Sequence, residues 1–172
     1  MIDPVAKAKW VLATKDVGEI PALSLAAIAD SESIAHRSKT YPDEWDGMLI
    51  FKGDKRAILV NTRIASKGRK NFTFAHELGH YFLEHQPNYS TDGQVGIRCT
   101  LSDTNYEQKG REAEANRFAV EMLMPEDRFR LDMAGAPIDF DLFRGLSDKY
   151  MVSKHASSNR VLDLTLAPCI VI

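Results

Sequence analysis

At 172 residues with a formal charge of −2, the chain is long enough for one domain with a sizeable core and has no general electrostatic attraction to nucleic acid or anionic membrane. Lys and Arg are scattered, the densest run being KGRK at 67–70, and the two cysteines, Cys99 and Cys169, are too few for a disulfide framework. The opening MIDPVAKAKW lacks an apolar stretch behind a basic flank, and no segment reaches the roughly 20 apolar residues of a bilayer span, so a reduced, cytoplasmic setting without membrane contact is expected.

In chain order, DPVAKAKWVLATKD reads as an amphipathic helix carrying Val5, Ala8, Trp10 and Leu12, started by Asp3 before Pro4. SLAAIAD predicts a short helix from about Ser24, and SIAHRS a short strand. Pro42 and Gly47 act as breakers in the loop KTYPDEWDG. The clearest β signal is MLIFKGDKRAILVN: Met48–Phe51 and Ala57–Val60 are apolar runs joined through Gly53 and Asp54, which predicts a hairpin. Helical periodicity begins after RIASKG and runs through His80 to about Glu84, and Pro87 forbids extension. Residues 86–110 form the longest irregular stretch, read as a loop carrying a short hairpin; such long connections are usually functional or mobile. REAEANRFAVEML is a strong helix ending at Met124-Pro125, while the following PEDRFRLDMAGAP is assigned no element. Helices are expected over Asp139–Tyr150 and about Lys154–Asp163, separated by the turn MVS, with the terminal CIVI as a strand. The fold class is α+β.

The segment NFTFAHELGHYFLEH, residues 71–85, places His76, Glu77 and His80 in one short helix. Residues four apart lie on one face, so His76 and His80 can point two imidazoles at one ion. Glu77 sits about 100° round the helix. From there it cannot easily join the same coordination sphere, but it can reach water activated beside it, where a general base is needed. Phe74, Leu78 and Phe82 anchor the other side. Two half-buried histidines that hold nothing are the plain alternative, but the pattern lies on a predicted helix preceded by a strand, which is the context the metal motif demands.

A catalytic zinc keeps three protein ligands and one open position. A third histidine would require H-E-x-x-H-x-x-G-x-x-H; here Leu83 and Gln86 stand at the last two fixed positions, so that arrangement fails. His85 is one residue off, follows no glycine turn, and reads as a surface residue at the helix end. The later helix offers Glu112, Glu114 and Glu121. Glu112 and Asn116 are four apart, so the amide can lie beside the carboxylate or orient a neighbouring group. Glu114 lies on a different face, and Ala113, Ala115 and Ala119 allow close packing of the two helices. A carboxylate at a helix start is also favoured simply by the dipole. Spacing leaves Glu112 modestly ahead of Glu114.

Together, NFTFAHELGHYFLEH and EAEANRFAVEMLMP resemble the ImmA/IrrE family of zinc metallopeptidases. Phe72, Thr73, Ala75, His76, Glu77, Gly79 and His80 fit its first block; Glu112, Asn116, Phe118, Ala119, Leu123, Met124 and Pro125 fit its second. The hairpin DGMLIFKGDKRAILVN is also similar, and the likeness runs from about residue 20 to 163. The resemblance implies a zincin-like fold over 1–130, with a small sheet and hairpin packed on the active-site helix. It also implies a C-terminal helical lobe, 131–172, packed on the same domain as a degenerate helix-turn-helix, although SKHASS has few helix-preferring residues. It implies that Glu112 rather than Glu114 is the third zinc ligand, and that the substrate is a regulatory protein, commonly a repressor of a mobile element or stress response. No repressor-like segment flanks the blocks, so the target is expected on another chain.

The resulting expectation is a zinc-dependent endopeptidase: His76, His80 and Glu112 hold the ion, Glu77 is the general base, and Asn116 supports the ligands. Tyr106, Arg98 and His155 are candidates for a further oxyanion donor, and the outer strand of the hairpin for holding an extended peptide. The rival is a non-catalytic regulator that binds DNA or a repressor through its C-terminal helices around a structural zinc, with Cys99 as an added ligand. Lys149, Lys154, His155 and Arg160 make only a thin basic helix, so DNA is not the expected partner.

Overall fold

The computed structural model of the chain describes residues 2–42, 45–64, 66–86, 88–89, 95–99 and 110–165; within 88–89 and 95–99 it describes the backbone and the side chain of Ile97. Twelve labelled elements follow in order: α1 (Pro4–Thr14), α2 (Leu25–Ser31), β1 (Ile34–Lys39), β2 (Gly47–Lys52), β3 (Lys55–Asn61), α3 (Lys67–Phe82), β4 (Asn88–Tyr89), β5 (Val95–Cys99), α4 (Arg111–Leu123), α5 (Glu126–Met133), α6 (Phe140–Tyr150) and α7 (Lys154–Leu164). The architecture is α+β and zincin-like, as expected. The terminal CIVI lies outside the described residues. No helix among those described is long and apolar enough to cross a membrane.

The strands form one mixed sheet in the order β1-β3-β2-β5-β4, with β1 parallel to β3 and the other pairs antiparallel. The β2–β3 hairpin pairs Leu49 with Ile58 and closes at Lys52 opposite Lys55, with Gly53 at φ 57° in the two-residue turn. A positive φ there suits glycine, which has no Cβ to clash. The stretch read as a loop carrying a short hairpin contains β4 and β5, an antiparallel pair as expected, and β5 pairs along the far side of β2. Both hairpin strands therefore lie inside the sheet, and the expectation that an outer hairpin strand is open to a peptide is corrected. Gly47, expected to break a loop, is the first residue of β2.

One face of the sheet packs on α3, and α3 packs in turn on α4. Leu49, Ile58, Leu78, Phe118 and Met122 are buried between them, each worth roughly 1.5–3 kcal/mol of transfer from water. Phe82 and Phe118 stack across the two helices with ring centres 5.8 Å apart. On α1 the buried stripe is Pro4, Ala8 and Val11, and Trp10 falls off it, 48% exposed, with the Lys7 ammonium over its ring.

The helix α5, to which no element was assigned, buries only Phe129, so it carries almost no periodic apolar signal. Its start is set instead by Pro125 and by the Glu121 carboxylate, which accepts from the Glu126 N–H at 3.1 Å. SKHASS is helical despite its composition. Ser153 caps α7 by accepting from the Ala156 N–H at 3.1 Å, and the Ser157 hydroxyl reaches the Phe143 carbonyl on α6 at 2.8 Å. The turn between α6 and α7 sits on the start of α3, where Asn71 donates to the Met151 carbonyl at 2.8 Å.

That seat requires Gly68. A Cβ there would lie 2.5 Å from the Ser153 nitrogen and 2.7 Å from the Val152 oxygen, both backbone atoms that cannot swing aside. In an open helix Gly→Ala stabilises by about 1 kcal/mol, but overpacking against fixed backbone costs roughly 1–3 kcal/mol. Gly68→Ala is therefore expected to destabilise, read as a lower urea midpoint with unchanged slope; a raised midpoint would show that the turn yields.

Candidate metal centre

The middle of α3 presents His76 and His80 one turn apart on the side facing α4, and the first turn of α4 presents Glu112. His76 Nε2 lies 2.9 Å from His80 Nε2 and 3.1 Å from Glu112 Oε2, and His80 Nε2 lies 3.3 Å from the same oxygen. Ligands about 2.0–2.1 Å from a tetrahedral ion stand about 3.3 Å apart. The triangle is close to that spacing, and its nitrogen and oxygen donors suit a divalent metal. Among the described residues it is the group that can hold one. Glu112, the candidate that spacing favoured only modestly, is thus beside both imidazoles.

Asn116 is buried one turn after Glu112, and its Oδ1 lies 2.8 Å from His76 Nδ1. An amide oxygen only accepts, so His76 Nδ1 carries the proton and Nε2 offers its lone pair to the triangle. Glu77 is fully buried. Its carboxylate lies against Gly47, where a Cβ would collide with it. Gly47 is thus part of the site, holding space at the β2 edge of the Glu77 carboxylate.

His85 is corrected: it is 8% exposed rather than at the surface. At the end of α3 the Leu83, Glu84 and His85 N–H groups reach the carbonyls of Gly79, Tyr81 and His80, and Glu84 takes the left-handed conformation, φ 57°. This turn folds residue 85 back over the last turn of the helix. His85 Nδ1 then lies 2.8 Å from His80 Nδ1, and its Nε2 lies 2.9 Å from Glu114 Oε2. Glu114, on a different face from Glu112 as expected, reaches the same cluster through His85.

Of the three oxyanion candidates, His155 is exposed on α7 beside Asn159 and is not brought to the triangle. Tyr106 and the side chain of Arg98 lie outside the described residues, as does the side chain of Cys99.

Burial by itself would raise the Glu112 carboxyl, but hydrogen bonds from His76 and His80 outweigh it and hold it well below the carboxylate range. Burial also opposes charge on both histidines. At His76 it is overcome by the hydrogen bond to Glu112 and the charge of Glu77, so that residue is raised. His80 is pushed down to about 4 by burial, with the neighbouring His76 charge adding to it. Two imidazolium rings cannot face each other at this distance. Burial lowers His85 too, against the raising pull of Glu114.

An α+β fold with two helices offering His, His and Glu to one point, and a buried Glu beside them, defines a zincin-like metallopeptidase. The comparisons agree: the family described as Peptidase_M78, the IrrE N-terminal-like domain, matches residues 28–162, and the chain belongs to it. No curated protein matches the chain closely enough to add a relative.

The sequence reading took Gly47 for a loop breaker and His85 for a surface residue, and weighed Glu114 only as a rival of Glu112. Five residues beyond His80 on a continuous helix, His85 would point about 140° away from it, and a left-handed turn at a glutamate has no sequence mark. For an ion to enter, the proton His76 holds above the ordinary histidine range must leave. Ion affinity is therefore expected to rise with pH, by up to about tenfold per unit for each proton displaced, until that group is deprotonated. Calorimetry in buffers of different ionisation enthalpy reads the released proton; no release below about pH 7 would contradict this ordering.

Proposed function

We propose that the chain is a zinc-dependent endopeptidase that cleaves a regulatory protein, such as a repressor of a mobile element or stress regulon, in a reduced cytoplasm. The observation that carries the reading is the group of three donors, His76, His80 and Glu112, gathered among the described residues, the number of protein ligands that a catalytic zinc keeps. Held by His76, His80 and Glu112, zinc would supply Lewis-acid chemistry toward water and a peptide carbonyl. Asn116 and Glu112 keep the imidazoles turned inward. Glu77, one position beyond His76, takes a proton from the attacking water and delivers it to the leaving amine nitrogen. Its enclosed position against Gly47 excludes bulk water, which strengthens its charge interactions.

The rival reading, a non-catalytic regulator using the C-terminal helices, has less to support it. Arg160, one of its few cations, is buried and committed to Glu121 and to the Met124 carbonyl.

The test pairs metal analysis with cleavage of candidate repressor proteins. Wild type is expected to carry one zinc and to cut at least one of them. Glu77→Gln is expected to keep the zinc while cleavage slows about 10²–10⁴-fold. Full cleavage by that variant rules out the general base, and a wild-type chain that binds no zinc rules out the centre.

A further inference from the structure

We propose that His85 and Glu114 are positioning residues that fix the tautomer of His80, forming a relay from Glu114 through His85 to the metal ligand. The inference rests on the metal centre proposed above, but on different atoms.

With His85 neutral and an ion in place of the hydrogens that otherwise sit between the His76 and His80 rings and Glu112, hydrogen-bond bookkeeping along the chain leaves one arrangement. An ionised carboxylate only accepts, so at 2.9 Å from Glu114 Oε2 the His85 Nε2 must carry a hydrogen. A neutral imidazole with its hydrogen on Nε2 has a bare Nδ1 that accepts. His80 Nδ1, 2.8 Å away, must then donate to it, which leaves His80 Nε2 without a hydrogen and facing His76 Nε2 and Glu112 Oε2. That is the tautomer a metal ligand needs. The reverse order would put a hydrogen on His80 Nε2 inside the triangle and block ligation.

The device parallels the one on the other histidine. His76 is oriented by a single amide, Asn116, from α4. His80 is oriented by a two-residue chain whose far end, Glu114, is also on α4, two residues from the ligand Glu112. The first turn and a half of α4 therefore supplies one ligand and the anchors of both imidazoles. The backbone is arranged for this: Glu84 adopts a left-handed conformation, ordinarily a glycine position, and the turn it makes brings His85 back onto His80. Partners behind metal-binding histidines typically change metal affinity 10–100-fold when removed.

The experiment measures zinc affinity by competition with a chromophoric chelator, alongside the ¹⁵N tautomer signature of His80 in the zinc-loaded chain. His85→Leu and Glu114→Ala are expected to weaken zinc 10–100-fold. His85→Asn places an amide oxygen where Nδ1 stood and is expected to recover most of the loss by accepting from His80 Nδ1. Glu114→Gln, at a half-exposed position, keeps an acceptor and is expected to lose less than Glu114→Ala. Thermal unfolding of each metal-free variant separates a folding defect from a ligand defect, because a purely structural role would not produce rescue by Asn. Zinc bound as tightly by His85→Leu and Glu114→Ala as by wild type overturns the relay while leaving the centre intact. Wild type binding no zinc, or His80→Ala binding it normally, removes the centre and the relay with it.

Discussion

Gly79 lets two helices touch. A Cβ at that position would stand 3.1 Å from the Ala115 carbonyl oxygen and 3.2 Å from its Cα, closer than ordinary packing allows. Without the side chain, α3 and α4 meet almost backbone to backbone, and the geometry of the site follows from that meeting. Glu112 is one turn before Ala115, and His76 one turn before Gly79 and His80. When the two small residues are in contact, the carboxylate arrives beside both imidazoles. A wider separation would leave Glu112 unable to reach either ring, and three polar groups would be enclosed without one another.

The same closeness explains how a protein interior accommodates so many polar groups. His76, Glu77, His80, His85 and Asn116 are all buried, and a buried polar group costs several kcal/mol unless it is satisfied. Each of the histidines contacts a neighbour from α4 or from the helix-ending turn. The cluster is stable as a set, with Asn116, His85 and Glu114 as its outer ring and the triangle at its centre. At the far end of α4 the same logic recurs in a purely structural form: buried Glu121 meets Arg160 of α7 and holds the cap of α5. The helix that carries Glu112 is thus secured at both ends by enclosed polar contacts.

Sheet and helices divide the work. The β2–β3 hairpin forms a floor under α3, and Gly47 in that floor makes room for the Glu77 carboxylate. The sheet is completed from a distant part of the chain, where β4 and β5 add to β2. That addition places both strands of the hairpin inside the sheet.

Local order alone determined much of this protein. The pair His76 and His80, the flanking Glu77, the helix that carries them and the helix beginning at Arg111 all follow from spacing and capping, because helical geometry ties residues three and four apart. Hairpin β2–β3 was just as local, its turn residues lying between two apolar runs. Tertiary structure decided what depends on chain segments that are distant or change direction. It selected Glu112 for the triangle and Glu114 for His85, two carboxylates that sequence spacing scarcely separates. It turned His85 inward at a left-handed glutamate, made Gly47 part of the site, formed α5 around one buried Phe129, and enclosed the hairpin between β1 and β5. Periodicity reports which side of an element is apolar; only packing decides what that side will meet.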